Sequence, residues 1–267
     1  MKSKCRPFFT AVVLVLFFSP ASIALGYSSI VSLGDSLSDN GNVSRFTDGP
    51  LWVELLADHY SAPLFDIAHG GATTGYDNPR IGSPITGLQW QVEQFPSLPG
   101  DSLVTLWAGA NDLLQSRSPL NAVYNIDFAL ENLYLAGGRN FLVPNLPDIG
   151  SSPSLVSEPV ASEEATFWTL IYNSSLENTL HDFNDRHTDV ELYLLDVFTI
   201  FEQYPVGTPE WLELFWVDGF HPSSLGHQKI FEAALATVEP VPEPSTLLLF
   251  GIGIVGLIGV RLGRHML

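Results

Sequence analysis

The sequence predicts an α/β fold, a single three-layer α/β/α domain built on a parallel sheet of about five strands. Two observations carry this prediction. Short apolar runs bounded by turn residues alternate with longer amphipathic stretches, and strand–helix–strand alternation places parallel strands under helices on both faces. The chain also has 267 residues, 46% of them hydrophobic and 12% aromatic, which is enough to fill one sizeable core.

The elements follow in chain order. Ile30–Leu33, Phe65–Ala68, Leu103–Ala108, Phe141–Pro144 and Leu192–Val197 read as strands, because each is short, largely apolar and flanked by turn residues. Residues 118–137, 160–186 and 223–237 read as helices. In the first of these, Val123, Ile126, Ala129, Leu130 and Leu133 recur at three- and four-residue spacings, the mark of one buried helical face. No internal repeat divides the stretch between the two ends of the chain.

Those ends differ in composition from the body. A basic stretch to Arg6, an apolar run from Phe8 to Phe18, Pro20 and small residues through Gly26 have the three-part pattern of a signal peptide, with cleavage expected after Ala24 or Gly26. An 11-residue apolar run falls short of the ~20 residues that span a bilayer. At the other end a Pro-rich linker from Val238 to Pro244 leads to an apolar, glycine-rich segment, Thr246–Val260, followed by Arg261 and Arg264. Basic charge after an apolar run is a stop-transfer signal, so a C-terminal transmembrane helix is expected there. The domains expected are therefore a signal peptide at 1–26, a single α/β domain at 27–238, and a linker, apolar helix and basic tail at 239–267.

Charge and cysteine usage exclude several function classes. The chain carries −18 at neutral pH, and between Tyr27 and Pro240 there are 6 basic against 28 acidic residues, a charge of −22. Such a body repels phosphate backbones, so no nucleic-acid partner is expected. The one cysteine, Cys5, lies in the leader, which excludes a structural disulfide, a cysteine-ligated zinc site and a catalytic thiol in the body. No metal and no cofactor are called for by any motif.

In parallel α/β sheets functional groups gather at the carboxyl ends of the strands. After the first strand comes Gly34-Asp35-Ser36-Leu37-Ser38-Asp39-Asn40-Gly41, a turn that can project a serine hydroxyl from the sheet edge. It is not the G-x-S-x-G elbow, since position 38 is serine. The second strand ends at His69-Gly70-Gly71, where adjacent glycines let a backbone amide approach a ligand. The third ends at Gly109-Ala110-Asn111-Asp112; Asn111 can offer two N–H donors or serve as a helix cap. In Asp218-Gly219-Phe220-His221-Pro222 a carboxylate three residues before a histidine can hold its Nδ1–H and leave Nε2 outward as a base. Each signal is weak alone; together they are a parts list for acyl transfer.

At these four blocks, in this order from Ile30 to Ala236, the chain resembles the GDSL, or SGNH, hydrolase family. Asn145-Leu146-Pro147-Asp148-Ile149-Gly150 and His221-Pro222-Ser223-Ser224-Leu225-Gly226-His227 agree with its lipase and esterase branch. The resemblance implies the flavodoxin-like SGNH hydrolase fold and a serine hydrolase acting on carboxylic esters. Ser36 would be the nucleophile, Asp218 and His221 its acid–base pair, and Ser36, Gly71 and Asn111 the oxyanion donors. The terminal wording Val241-Pro242-Glu243-Pro244-Ser245, with the apolar segment and basic tail, resembles the PEP-CTERM sorting signal of Gram-negative bacteria. That implies an exosortase-type processing partner, transient anchoring in the inner membrane, and a final place at the cell surface or in the extracellular matrix.

Competing readings remain open at this point. His59, His69, His181, His187 and His227 are rival bases, and His69 beside the glycine pair reads as a structural hydrogen-bonder or a substrate contact. Asp148 follows a strand but has no histidine next to it. Asp39, Asn40 and Asn42 read as turn and cap residues rather than a cation loop. Trp211, Phe215, Trp216 and Phe220 could line an acyl pocket or pack in the core. A carbohydrate O-deacetylase and a non-catalytic surface or matrix protein keeping the fold are the alternatives to an esterase or lipase.

Overall fold

The computed structural model describes residues 26–79 and 85–239. Residues 1–25 of the expected signal peptide (1–26), with Cys5, and residues 240–267 of the expected linker, apolar helix and basic tail lie outside the described residues. Among the described residues, no helix is long and apolar enough to cross a membrane.

Five strands form one parallel sheet in the order β2-β1-β3-β4-β5: β1 Ile30–Gly34, β2 Leu64–Asp66, β3 Leu103–Trp107, β4 Asn140–Pro144 and β5 Glu191–Leu195. The expected sheet is therefore present, each strand within two residues of its sequence-predicted start. The three central strands are buried along their whole length, as apolar runs covered on both faces must be. The strand order is the flavodoxin-like one, whose switch point lies between β1 and β3.

Three long helices fall where the apolar period places them: α4 Pro119–Leu135, α5 Pro159–Arg186 and α8 Ser224–Val238. Ser118 and Ser223 cap α4 and α8, their hydroxyls accepting the N–H of Asn121 and Gly226, and proline stands at the first turn of α4 and α5. Shorter helices appear that periodicity did not predict: α1 Trp52–Tyr60, α2 Leu88–Glu93, α3 Ala110–Leu114, α6 Val197–Glu202 and α7 Pro209–Leu212. Their four to nine residues give at most two and a half turns, too few to establish a period. Helices α1 and α8 pack on one another, and α2 and α5 both pack on α4. With α1 and α2 both against β1, and α5 and α8 both against β5, the helices enclose the sheet from two sides.

Two glycines fix how closely the strand ends approach. At Gly34 φ is +146°, and a Cβ would stand 2.0 Å from the Trp107 carbonyl oxygen on the neighbouring strand. At Gly109 φ is +125°, and a Cβ would fall 2.6–2.8 Å from the Tyr172 ring and hydroxyl of α5. That hydroxyl donates to the Ala108 carbonyl at 2.7 Å, clamping the end of β3 against α5. Only glycine satisfies both the left-handed backbone and the contact.

Candidate active site

The turn that carries Ser36 follows β1 directly. Asp35 N–H donates to Trp107 O of β3, and the N–H groups of Ser38 and Asp39 return to the Asp35 carbonyl, so Ser36 sits on a tight turn at the carboxyl edge of the sheet. At the far end of the chain the Phe220 and His221 N–H groups donate to Asp218 Oδ1 at 3.0 Å each, winding residues 218–221 into a turn. The Trp216 N–H to His221 carbonyl bond and the Ser223 N–H to Leu214 carbonyl bond fasten that turn ahead of α8.

These two loops meet. His221 Nε2 lies 2.8 Å from Ser36 Oγ and His221 Nδ1 lies 2.5 Å from Asp218 Oδ2, although Ser36 and His221 are 185 positions apart in sequence. With Nδ1–H donated to the carboxylate, Nε2 accepts from the serine hydroxyl, the tautomer that proton abstraction requires. Ser36 is 4% and His221 2% exposed. Burial pushes the Asp218 carboxyl up, but the N–H of Phe220, the His221 ring and the His221 N–H outweigh it, so the group is held below the usual carboxylate range. It is therefore an anion across the neutral range.

The oxyanion candidates are less uniform. Among the described residues neither the Ser36 N–H nor the Gly71 N–H is spent on a hydrogen bond. Gly71 has φ +86° at the end of the loop after β2. Asn111, in the first turn of α3, lines the same open cleft as His221 and Asp218. Its amide nitrogen, however, donates to Asp35 Oδ2 at 3.2 Å and to the Ala72 carbonyl at 3.1 Å. Both are long bonds, and both N–H groups are occupied at rest. One must be exchanged before Asn111 can serve an oxyanion.

Buried carboxylates organise this region without touching the cleft. Asp35 is fully buried; burial drives its pKa up to about 7, opposed by the Leu37 N–H and the Asn111 amide. Asp39 accepts the N–H groups of Gly41, Asn42, Val43 and, at 2.7 Å, Gly70. The turn-and-cap reading of Asp39 thus holds, but its reach to the glycine pair, 31 residues on, has no sequence signal. Burial raises Asp112 too, and its carboxylate fixes the Thr74 N–H and hydroxyl beyond the same glycine loop.

The other histidines are engaged elsewhere or enclosed. His69 Nδ1 bonds the Ile67 carbonyl at 2.8 Å and its ring stands edge-on to Trp90, the structural reading. His59 pairs with Glu239, His187 with Glu131, and His181 with Asp185. His227 is fully buried in α8, neither ring nitrogen having a hydrogen-bond partner among the described residues. Asp148 caps the 3-10 turn Ile149–Ser151 and accepts from Ser151 and Thr166. Of the aromatic cluster, Trp211 is buried and packs on Phe215, while Phe215 and Phe220 line an enclosed apolar slit with Leu37 and Pro222. The slit holds about 20 Å³, the open cleft that Phe220 also lines about 530 Å³.

The sequence pattern of GDSL-like lipases and acylhydrolases matches residues 30–234, nearly all of the described domain. The chain belongs to that family. A PEP-CTERM protein-sorting motif matches residues 240–264 and marks the chain for export and sorting of the kind found in Gram-negative bacteria. Among similar proteins, the chain is 33% identical over 181 residues to a phosphatidylcholine-sterol acyltransferase of Aeromonas hydrophila, covering 57% of this chain and 54% of that protein. It is 31% identical over 152 residues to the thermolabile hemolysin of Vibrio parahaemolyticus, covering 47% of this chain and 35% of that one. The chain thus spans about half the length, or less, of these relatives. A crystal structure of a member of the lipolytic protein G-D-S-L family from Veillonella parvula covers 80% of this chain and 99% of its own, with a TM-score of 0.58 at 18% identity, which shows the shared fold.

Proposed function

We propose that this family member is an exported serine hydrolase that cleaves carboxylic esters through an acyl-enzyme on Ser36. The observation that carries the reading is the unbroken Ser36–His221–Asp218 hydrogen-bond chain at the carboxyl edge of the sheet. Ser36 Oγ attacks the ester carbonyl carbon while His221 Nε2 takes its proton; Asp218, anionic, steadies the imidazolium. The proton then passes to the departing alcohol, and water, deprotonated by the same imidazole, releases the acid. The carbonyl oxygen, charged in the tetrahedral intermediate, is met by the free N–H groups of Ser36 and Gly71 and by Asn111 once it gives up the Asp35 or Ala72 contact.

The cleft supports an ester with one bulky part. Its roughly 530 Å³ falls within the size of ordinary small-molecule sites, whereas the apolar slit that Phe220 also lines has room for about one water. The bulky part lies in the cleft, and a lipid-type ester agrees with the relative named a phosphatidylcholine-sterol acyltransferase. The catalytic domain is residues 27–238, between a leader at 1–26 and a processed tail at 239–267; exosortase-type cleavage leaves it at the cell surface or in the matrix.

The deciding experiment is turnover of p-nitrophenyl esters of graded chain length, with fluorophosphonate labelling, in the wild type and Ser36→Ala. Activity and labelling that vanish in the variant support the reading; undiminished turnover ends it. Turnover of acetyl esters alone would mark a carbohydrate O-deacetylase instead.

A further inference from the structure

The loop joining β1 to α1 sets one aromatic ring against both halves of the site. Phe46 is stacked on His221, ring centroids 4.8 Å and planes 29° apart. The same ring lies against Gly70 of the oxyanion loop, where a Cβ would come within 2.4 Å of Phe46 Cε2. Phe220 meets the imidazole edge to face at 5.2 Å.

The loop is fastened at three places. Asp39 gathers the N–H groups of Gly41, Asn42 and Val43 together with that of Gly70. Arg45 makes a two-pronged pair with Glu54 of α1, at 2.7 and 2.8 Å, and also donates to the Gly49 carbonyl. Asp48 accepts the Ser224 N–H at the start of α8, three residues beyond His221, at 2.7 Å. A ring on a loop tied to the glycine turn at Gly70, to α1 and to the helix that follows His221 has little freedom to leave the imidazole.

We propose that Phe46 is a positioning residue for the base: it holds the His221 ring at the angle where Nε2 meets Ser36 Oγ, and it presents its π face to the imidazolium formed as Ser36 attacks. The inference rests on the acyl-transfer reading above. A benzene face attracts a cation placed over it, an attraction that grows when water is excluded, as it is at this buried histidine. Among the described residues, Asp218 from its own loop and His227 from α8 are titratable groups that face His221. Neither is altered by changing Phe46.

The test compares Phe46→Leu and Phe46→Tyr with the wild type on p-nitrophenyl acetate from pH 5 to 9, alongside thermal melting. Leucine keeps apolar bulk without a π face; tyrosine keeps the ring. In Phe46→Leu, kcat falls roughly tenfold with KM within about twofold, and the acid limb of kcat/KM moves to lower pH because the imidazolium has lost a stabilising partner. Tyrosine restores both. An unchanged rate and pH limb in Phe46→Leu, or a loss that tyrosine does not restore, overturns the proposal. Should Phe46→Leu not fold, Arg45→Ala decides: loosening the loop lowers kcat with KM held, and an unchanged kcat overturns the proposal. Ser36→Ala separates the two levels. Full activity there defeats the acyl-transfer reading itself, whereas a dead Ser36→Ala beside an unaffected Phe46→Leu defeats this inference alone.

Discussion

In the acyl-transfer mechanism proposed above, Ser36, His221 and Asp218 act as a unit, so removing one forfeits most of what the three supply together. Asp218→Asn, which disturbs the tautomer while preserving shape, lowers kcat by up to about 10⁴; Asn111→Ala, with two backbone donors left, lowers it by about 10²–10³ at little change in KM. Steady-state kinetics on a p-nitrophenyl ester check both, and an Asn111→Ala enzyme of wild-type kcat would leave the amide with its resting partners only. His227 makes a prediction about pH. Burial, then the neighbouring His221, lowers its pKa to about 3, against about 6.5 in the unfolded chain. The unfolded state binds the extra proton between those values, so the stability His227 contributes is present above about 6.5 and is lost as pH falls towards 3. His227→Leu removes that loss: its melting temperature relative to the wild type is higher at pH 5 than at pH 7.5, and equal differences at the two values would refute the linkage. At this scale Ser36, Asp218 and His221 could be singled out only by reading four weak blocks together and through the family resemblance, because each turn alone is ordinary loop chemistry. Asp39 and Phe46 could not, because their importance lies in Gly70 and His221, which only folding brings near.

Helices and loops carry these side chains, and their legibility tracks length. α4, α5 and α8 repeat their apolar face over 15 residues or more and could be placed from the pattern alone. α3, five residues long, could not, yet it presents Asn111. What orients α3 is the junction at Gly109, where a positive φ and the Tyr172 ring leave no room for a Cβ. Gly109→Ala therefore destabilises by about 2 kcal/mol or more, combining backbone strain with a forced shift of a buried ring. Tyr172→Phe, losing one hydroxyl and leaving the Ala108 carbonyl unbonded, costs about 1–2 kcal/mol. Denaturant unfolding measures both. A Gly109→Ala protein as stable as the wild type would show that the junction relaxes freely and does not hold Asn111 in place.

At the scale of the whole molecule, the described domain builds its core and the Ser36–His221–Asp218 constellation from residues between Tyr27 and Val238. A protein comprising 27–238 accordingly hydrolyses esters with a kcat within about twofold of the full chain, measured on the same substrate; a large deficit would mean that the tail shapes the site. The sequence by itself determined the α/β class, the position of each strand, the exclusion of disulfide and thiol chemistry from the body, and the residue types available for acyl transfer. Those follow from local periodicity, turn chemistry and composition, each legible within a few residues of chain. Only the tertiary structure decided that Ser36 meets His221 across 185 positions, that Asn111 is occupied at rest by Asp35 and Ala72, and that Phe46 covers the imidazole. The reason is that the parallel sheet order brings the ends of β1 and β3 side by side, and the helices packed on it return the last loop to the same edge, juxtapositions that no local signal encodes.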